Sequence, residues 1–158
     1  MSTDPAERRE LVITRRLKAP RPLVWRTFED AYLLAQWWGP ENFTSTITRL
    51  EFRAGGEWHV TMHRPDGGEH RVQYRFVEIV APERIVYRPF RPAEATPIAG
   101  RPPGYLATLT FEASGDETIF TLRALFEQAA DLAFAREGGF AAGTMEAIDR
   151  LERLLAAR

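Results

Sequence analysis

Three histidines, a few carboxylates and a long series of aromatic side chains are the residues of this sequence that could do chemistry. Imidazoles held close together bind metal ions or move protons. His59 and His63 stand four apart in a stretch that alternates as a strand, Glu57–His63, so they share a face about 13 Å apart. One zinc ion cannot span that distance. His70, across the following turn, can approach His63; all three are read as exposed strand histidines, with no metal site. A nucleophilic serine needs a base beside it, but Ser45 and Ser114 fall in or near turns and no Gly-x-Ser-x-Gly elbow exists. Glu57 and Glu69 adjoin Trp58 and His70 at strand ends, where a solvated charge is expected. No phosphate loop or dinucleotide fingerprint is present, and no cofactor is expected. The sequence has no cysteine, which removes disulfides, thiolate catalysis and thiolate-held metals.

The aromatic residues are more informative. Trp37 and Trp38 are neighbours, so on a helix they point about 100° apart. One is expected to pack inward, while the other covers a sheet edge or lines the mouth of a pocket. Trp58, Val60 and Met62 share one strand face, as do Val72, Tyr74 and Phe76. Leu109 and Phe111 face Phe120, Leu122 and Phe126 in the last hairpin. The same apolar residues build a solid core or line a hollow. Tyr74 and Tyr87 discriminate better, because a buried phenol needs a hydrogen-bond partner and a ligand can supply it. Arg71, Arg75, Arg84, Arg88 and Arg91 lie close together and would draw an acidic or phosphate-bearing ligand as a patch. Interleaved with glutamate, they are read as an exposed sheet face.

These residues need elements to position them. Leu11, Ile13 and Leu17 alternate with Val12, Thr14 and Arg16, which predicts a strand over Glu10–Lys18. Pro20 or Pro22 suits the first turn of a helix carrying Leu23, Val24, Trp25 and Phe28. Asp30 is the expected N-cap of a second short helix that ends at Gly39-Pro40. Strands follow over Thr44–Phe52, Glu57–His63, Glu69–Val80, Arg84–Arg88, Tyr105–Ala113 and Glu117–Phe126. Pro65-Asp66-Gly67-Gly68 and Ser114-Gly115-Asp116 mark hairpin turns. Residues 89–104 carry five prolines and read as a long loop. Gln128–Glu137 is a short helix, Gly138-Gly139 a break. Phe140, Thr144, Met145, Ile148, Leu151 and Leu155 then form the apolar stripe of a long helix, backed by a Glu146–Arg150 pair.

The chain has 158 residues, 44% of them hydrophobic and 27% charged. That fits a loose tail over 1–9 and a single folded domain over 10–158. About two-thirds of the chain's surface can be buried at this size, enough for a core with a cavity. The 21 basic and 22 acidic side chains leave a net charge of −1. Such a balance supplies no overall field for nucleic acid, and no nucleic-acid partner is expected. No apolar run is long enough for a membrane span, and the polar N-terminus has no signal-peptide stretch. A cytoplasmic protein is expected.

Five strings resemble the START-like, birch-pollen-allergen-like superfamily with its helix-grip fold. They are Leu17-Lys18-Ala19-Pro20-Arg21-Pro22-Leu23-Val24-Trp25, Leu34-Ala35-Gln36-Trp37-Trp38-Gly39-Pro40, Arg53-Ala54-Gly55-Gly56-Glu57-Trp58, Glu78 to Val86, and Gly138-Gly139-Phe140 leading into Met145 to Leu151. Together they most resemble the small bacterial proteins named after the C-terminal domain of the heat-shock-protein-90 ATPase activator. The resemblance implies an α+β fold: a curved antiparallel sheet of six to seven strands wrapped on a long C-terminal helix, with two short helices after the first strand. It also implies a pocket rather than a particular reaction, since members of the superfamily bind lipids, aromatic polyketides or hormones and a few are cyclases or hydrolases.

The expected function is to bind a small hydrophobic or amphipathic molecule between the sheet and the last helix. The expected lining is Trp37, Trp58, Tyr74, Phe76, Tyr87, Phe111, Phe140 and Met145. A cyclase- or hydrolase-type enzyme using the same hollow is the alternative, and it requires a buried carboxylate, histidine or arginine pointing inward. A third reading is a chaperone-cofactor or stress-response module, which requires an exposed apolar patch at Trp38 or in the 89–104 loop. A chaperone partner is not expected, since the chain has no room for the activator's N-terminal domain. An edge strand and the proline-rich loop are the surfaces through which a homodimer would form.

Overall fold

Proline and aspartate punctuate the start of the chain as their chemistry requires. In the computed structural model, which describes residues 9–90 and 104–157, strand β1 (Glu10–Leu17) runs into Pro20, the N-cap of helix α1 (Arg21–Glu29). Pro22 sits in the first turn, where its missing N–H removes no helical hydrogen bond. The Asp30 carboxylate accepts from Tyr32 N and Leu33 N at 2.9 and 3.1 Å and so starts α2 (Ala31–Trp37). The strands β2 (Thr44–Leu50), β3 (Glu57–His63), β4 (Glu69–Val80), β5 (Arg84–Pro89), β6 (Tyr105–Ser114) and β7 (Glu117–Phe126) follow. The chain ends in helices α3 (Ala129–Glu137) and α4 (Phe140–Ala156). Residues 1–8 and 91–103, including Arg91 and most of the expected long loop, lie outside the described residues. Arg9, expected at the end of the tail, is instead tied to β7: Phe126 N donates to Arg9 O at 2.8 Å.

The seven strands form one antiparallel sheet in the order β1-β7-β6-β5-β4-β3-β2. Neighbours from β2 to β7 are consecutive in sequence, and β1 closes onto the last strand with Ile13 opposite Leu122. Irregularities between Ile47 and Arg49 and between Phe76 and Glu78 bend the sheet. Its concave face carries the buried residues of every inner strand, among them Trp58, Tyr74, Tyr87, Leu109, Phe111 and Phe120. Helix α4 lies against that face through Ala147, Ile148, Leu151 and Leu155. Each fully buried Leu or Ile contributes about 1.5–3 kcal/mol. This is the helix-grip architecture the sequence predicts.

Polar contacts fix where α4 sits. The Arg150 guanidinium donates to the carbonyls of Trp38, Gly39 and Pro40 at 2.9–3.1 Å and to that of Gln36 at 3.2 Å. It thereby satisfies carbonyls at the end of α2 that have no helical partner. Arg15 of β1 binds Asp149 at 2.8 Å and Glu152 at 2.5 Å on the other side. The Glu146 carboxylate accepts from Glu41 N at 3.0 Å. The expected Glu146–Arg150 pair is therefore replaced: each group finds a partner on the α2–β2 corner, and among the described residues no ion pair joins them.

Replacing Arg150 with Leu should lower stability by about 1–3 kcal/mol, because several carbonyls lose a charged donor. Urea unfolding checks this, and an unchanged midpoint would mean that the clamp contributes nothing. Gly143→Ala should act oppositely, raising stability by about 0.5–1 kcal/mol. Its added Cβ would meet Pro40 Cγ at 3.5 Å, an ordinary contact.

Candidate functional site

The core is filled at one end and hollow at the other. Near α1, large rings interlock: Trp25 meets Phe111 and Phe52 at 5.3 and 5.7 Å, and Phe28 meets Phe111 at 5.3 Å. Towards α3 and the start of α4, the facing positions are Ala107, Ala135, Gly138, Gly139, Gly143 and Ala147, and among the described residues no side chain reaches across. A cavity of about 280 Å³ remains between sheet and helices. Gly139 adopts φ +90°, in the region open to glycine. That lets α3 turn into α4 at the cavity wall.

Four of the eight expected lining residues, Trp37, Tyr74, Tyr87 and Phe140, lie in the wall. The other four do not. Trp58 and Phe76 face the concave side, but their rings stack on one another at 5.9 Å, and Trp38 and Phe52 pack against them. Phe111 is enclosed by Trp25, Phe28 and Phe120. Met145 is 43% exposed, because it lies about 100° round the helix from Thr144; Ala147 takes the expected place on the buried face. The wall also includes Phe28, Met62, Leu109 and Tyr105, which sequence reasoning did not single out as lining. Small residues at stripe positions of α4 (Gly143, Ala147) were the available signal for space there.

Trp37 and Trp38 both reach the wall. The Trp37 indole donates to Thr27 O at 3.0 Å, leaving its ring edge to the cavity. Trp38 is half-buried, its ring 5.4 Å from Trp37 and 4.5 Å from Trp58. It is part of the wall rather than a surface anchor.

Tyrosines make the polar pole. The rings of Tyr74 and Tyr87 lie 5.1 Å apart, near-perpendicular. Tyr105 packs on Phe140 and Phe126 at 4.9 and 5.3 Å. Burial pushes the Tyr74 phenol up, opposed by hydrogen bonds to its oxygen from the Trp38 and Tyr105 side chains. Burial also raises Tyr87, with Tyr74 beside it as a lesser cause, and Tyr105 shifts the same way for the same leading reason. These groups are neutral donors at ordinary pH. No carboxylate, lysine or arginine lines the cavity among the described residues, and His70 sits at its exposed rim.

The remaining polar candidates lie elsewhere. His59 Nε2 is 2.8 Å from Glu57, and His63 Nε2 is 2.9 Å from Thr46 Oγ1. Glu57 is not the solvated strand end expected: it also pairs with Arg75 at 3.4 Å and Arg49 at 3.7 Å. Arg75 also lies over Phe90 at 4.6 Å and Arg84 binds Glu78 at 2.6 Å, so these arginines are paired with the glutamates interleaved among them on the sheet. Among the described residues no three His, Asp or Glu side chains gather as metal ligands, and no helix is long and apolar enough to cross a membrane.

A bent antiparallel sheet gripping a terminal helix across an apolar hollow places the chain in the START-like class. Residues 18–156 match the family described as Activator of Hsp90 ATPase homolog 1-like protein, and the chain belongs to that family. Among solved structures, it is similar to an Arthrobacter aurescens protein studied in solution, with 27% identity and a TM-score of 0.88 over 99% of this chain and 91% of that one. A Nitrosomonas europaea crystal structure is 25% identical, with a TM-score of 0.81 over 98% and 99% of the two chains. A Mycobacterium smegmatis protein, 23% identical over 96% and 94%, shares the fold with a TM-score of 0.82. No curated protein matches.

The buried phenols predict an alkaline instability. Unfolded, a tyrosine loses its proton near pH 10; folded, Tyr74 and Tyr87 hold theirs to higher pH. Above about pH 10 the unfolded state binds fewer protons, so stability falls as pH rises; below that range the contribution is fully present. Urea unfolding should show a loss of about 1 kcal/mol per pH unit from each of the two groups, and Tyr87→Phe should flatten the slope. A stability that stays level through this range would show that the phenols are not held from solvent.

Proposed function

We propose that this protein binds a small apolar or amphipathic molecule in the cavity between the sheet and α4. The observation that carries the reading is the hollow itself: about 280 Å³, walled by aromatic and small apolar residues, with phenols gathered at one pole. Ligand pockets span about 300–1,000 Å³, so the occupant is at the small end, a mono- or bicyclic compound or a short acyl chain. An apolar body against Phe28, Leu109 and Phe140 would leave water, and its polar group would meet the tyrosines. A hydrolase or cyclase would need an acid, a base or a charged stabiliser at the reacting atoms. The described wall offers neutral phenols and a rim histidine, which favours binding over such chemistry.

A neutral fluorescent dye such as Nile red should bind the full chain with increased emission and be displaced by small aromatic compounds. Ala147→Phe, which fills the hollow from α4, should weaken dye binding about tenfold or more while thermal unfolding remains cooperative. Ala107→Leu, from the opposite wall, serves as the independent check. Undiminished dye binding in both folded variants would place the dye outside the cavity and end this reading.

A further inference from the structure

We infer that the polar pole of the cavity selects an uncharged ligand bearing an oxygen acceptor, such as a ketone, and rejects a carboxylate. The inference rests on the binding reading above and deepens it.

The pole is rich in donors. Trp38, Tyr74, Tyr87 and Tyr105 line it, and an indole can donate but not accept. Trp38 packs edge-on against Tyr74 with ring centroids 5.8 Å apart, and the Trp38 and Tyr105 side chains both act on the Tyr74 phenol. Tyr87 is only 3% exposed and stands in the wall beside Tyr74, their rings 5.1 Å apart. Directly behind these rings, 4.4 Å from Tyr74 and 5.4 Å from Tyr87, lies Trp58, whose indole nitrogen is buried without a partner. Trp37, by contrast, has its acceptor in Thr27 O. The cluster thus holds more N–H and O–H groups than its three phenol oxygens readily satisfy, and an unmade buried hydrogen bond is costly. A ligand oxygen at Tyr87 redresses the balance.

The described part of the pole also lacks countercharge. Among the described lining residues there is no lysine or arginine. The nearby arginines are committed: Arg150 to the Gln36, Trp38, Gly39 and Pro40 carbonyls, Arg75 to Glu57. His70, the one titratable side chain besides the tyrosines among the described lining residues, is exposed at the rim and engaged in an interaction of its own. A carboxylate carried to the phenols would be stripped of water and given no cation. The same burial that keeps the phenols protonated disfavours any anion beside them.

Three probes of matched shape separate the possibilities by calorimetric titration of the full chain at neutral pH: methyl naphthyl ketone, ethylnaphthalene and naphthoate. The ketone should bind about tenfold tighter than the hydrocarbon, and tighter still than naphthoate. Tyr87→Phe should bring the ketone down to the hydrocarbon's affinity, and Tyr105→Phe, the second variant, should reduce the same preference. Equal affinity for ketone and hydrocarbon, or naphthoate binding as tightly as the ketone, overturns this inference and leaves the binding reading standing. Failure of all three probes to bind overturns both.

Discussion

One guanidinium sets the spacing on which the rest of this structure depends. Arg150 reaches from the middle of α4 to the carbonyls at the end of α2, while Arg15 holds the other side of the same helix through Asp149 and Glu152. The helix is thereby suspended between the sheet's first strand and the α2–β2 corner. It buries Leu151 and Leu155 against the sheet without collapsing onto it along its whole length. Burial lowers the Arg150 pKa, as expected for a charge partly withdrawn from water and met mainly by carbonyl dipoles. A purely apolar contact in its place would have no reason to stop at this distance, since dispersion favours close approach everywhere.

Above that clamp, packing varies along the core. Trp25, Phe28, Phe52 and Phe111 pack edge to face near α1, a dense arrangement that supplies cohesion. Towards α3 the residues shrink to alanine and glycine, and the lost contacts become volume. Stability is concentrated where rings interlock, and the end that gives up contacts is where the phenols face open space. A hollow that is stable when empty must be held open by something other than its own walls.

Charge is arranged to match. Glu57 gathers His59, Arg49 and Arg75 from β2, β3 and β4, and Glu78 takes Arg84. Charged groups in the sequence are nearly balanced in number, and in the fold many are also balanced in place. The interior is left without a charged side chain among the described lining residues, so on the proposed reading recognition there falls to size, shape and neutral hydrogen bonds.

Much of the fold was legible residue by residue. Alternation in Glu57–His63 and Glu69–Val80, the Asp30 cap, the proline at the start of α1 and the Gly138-Gly139 break are local signals, and local physics decides them. The faces of strands were legible for the same reason, which is why Tyr74 and Tyr87 could be named. What lies beyond one element was not. That Trp58 stacks on Phe76 instead of opening to the cavity depends on Trp38 and Phe52 arriving from distant segments. That Met145 faces outward depends on how α4 is rotated about its axis, which the contacts of Arg15 and Arg150 fix. Sequence alone determined the elements, their order and the inward set of apolar residues, because these follow from short-range sterics and periodicity. Only the tertiary structure decided where the core is left empty, because a void is a property of residues that fail to meet, and they are brought opposite one another by pairings such as β1 with β7 that no local pattern encodes.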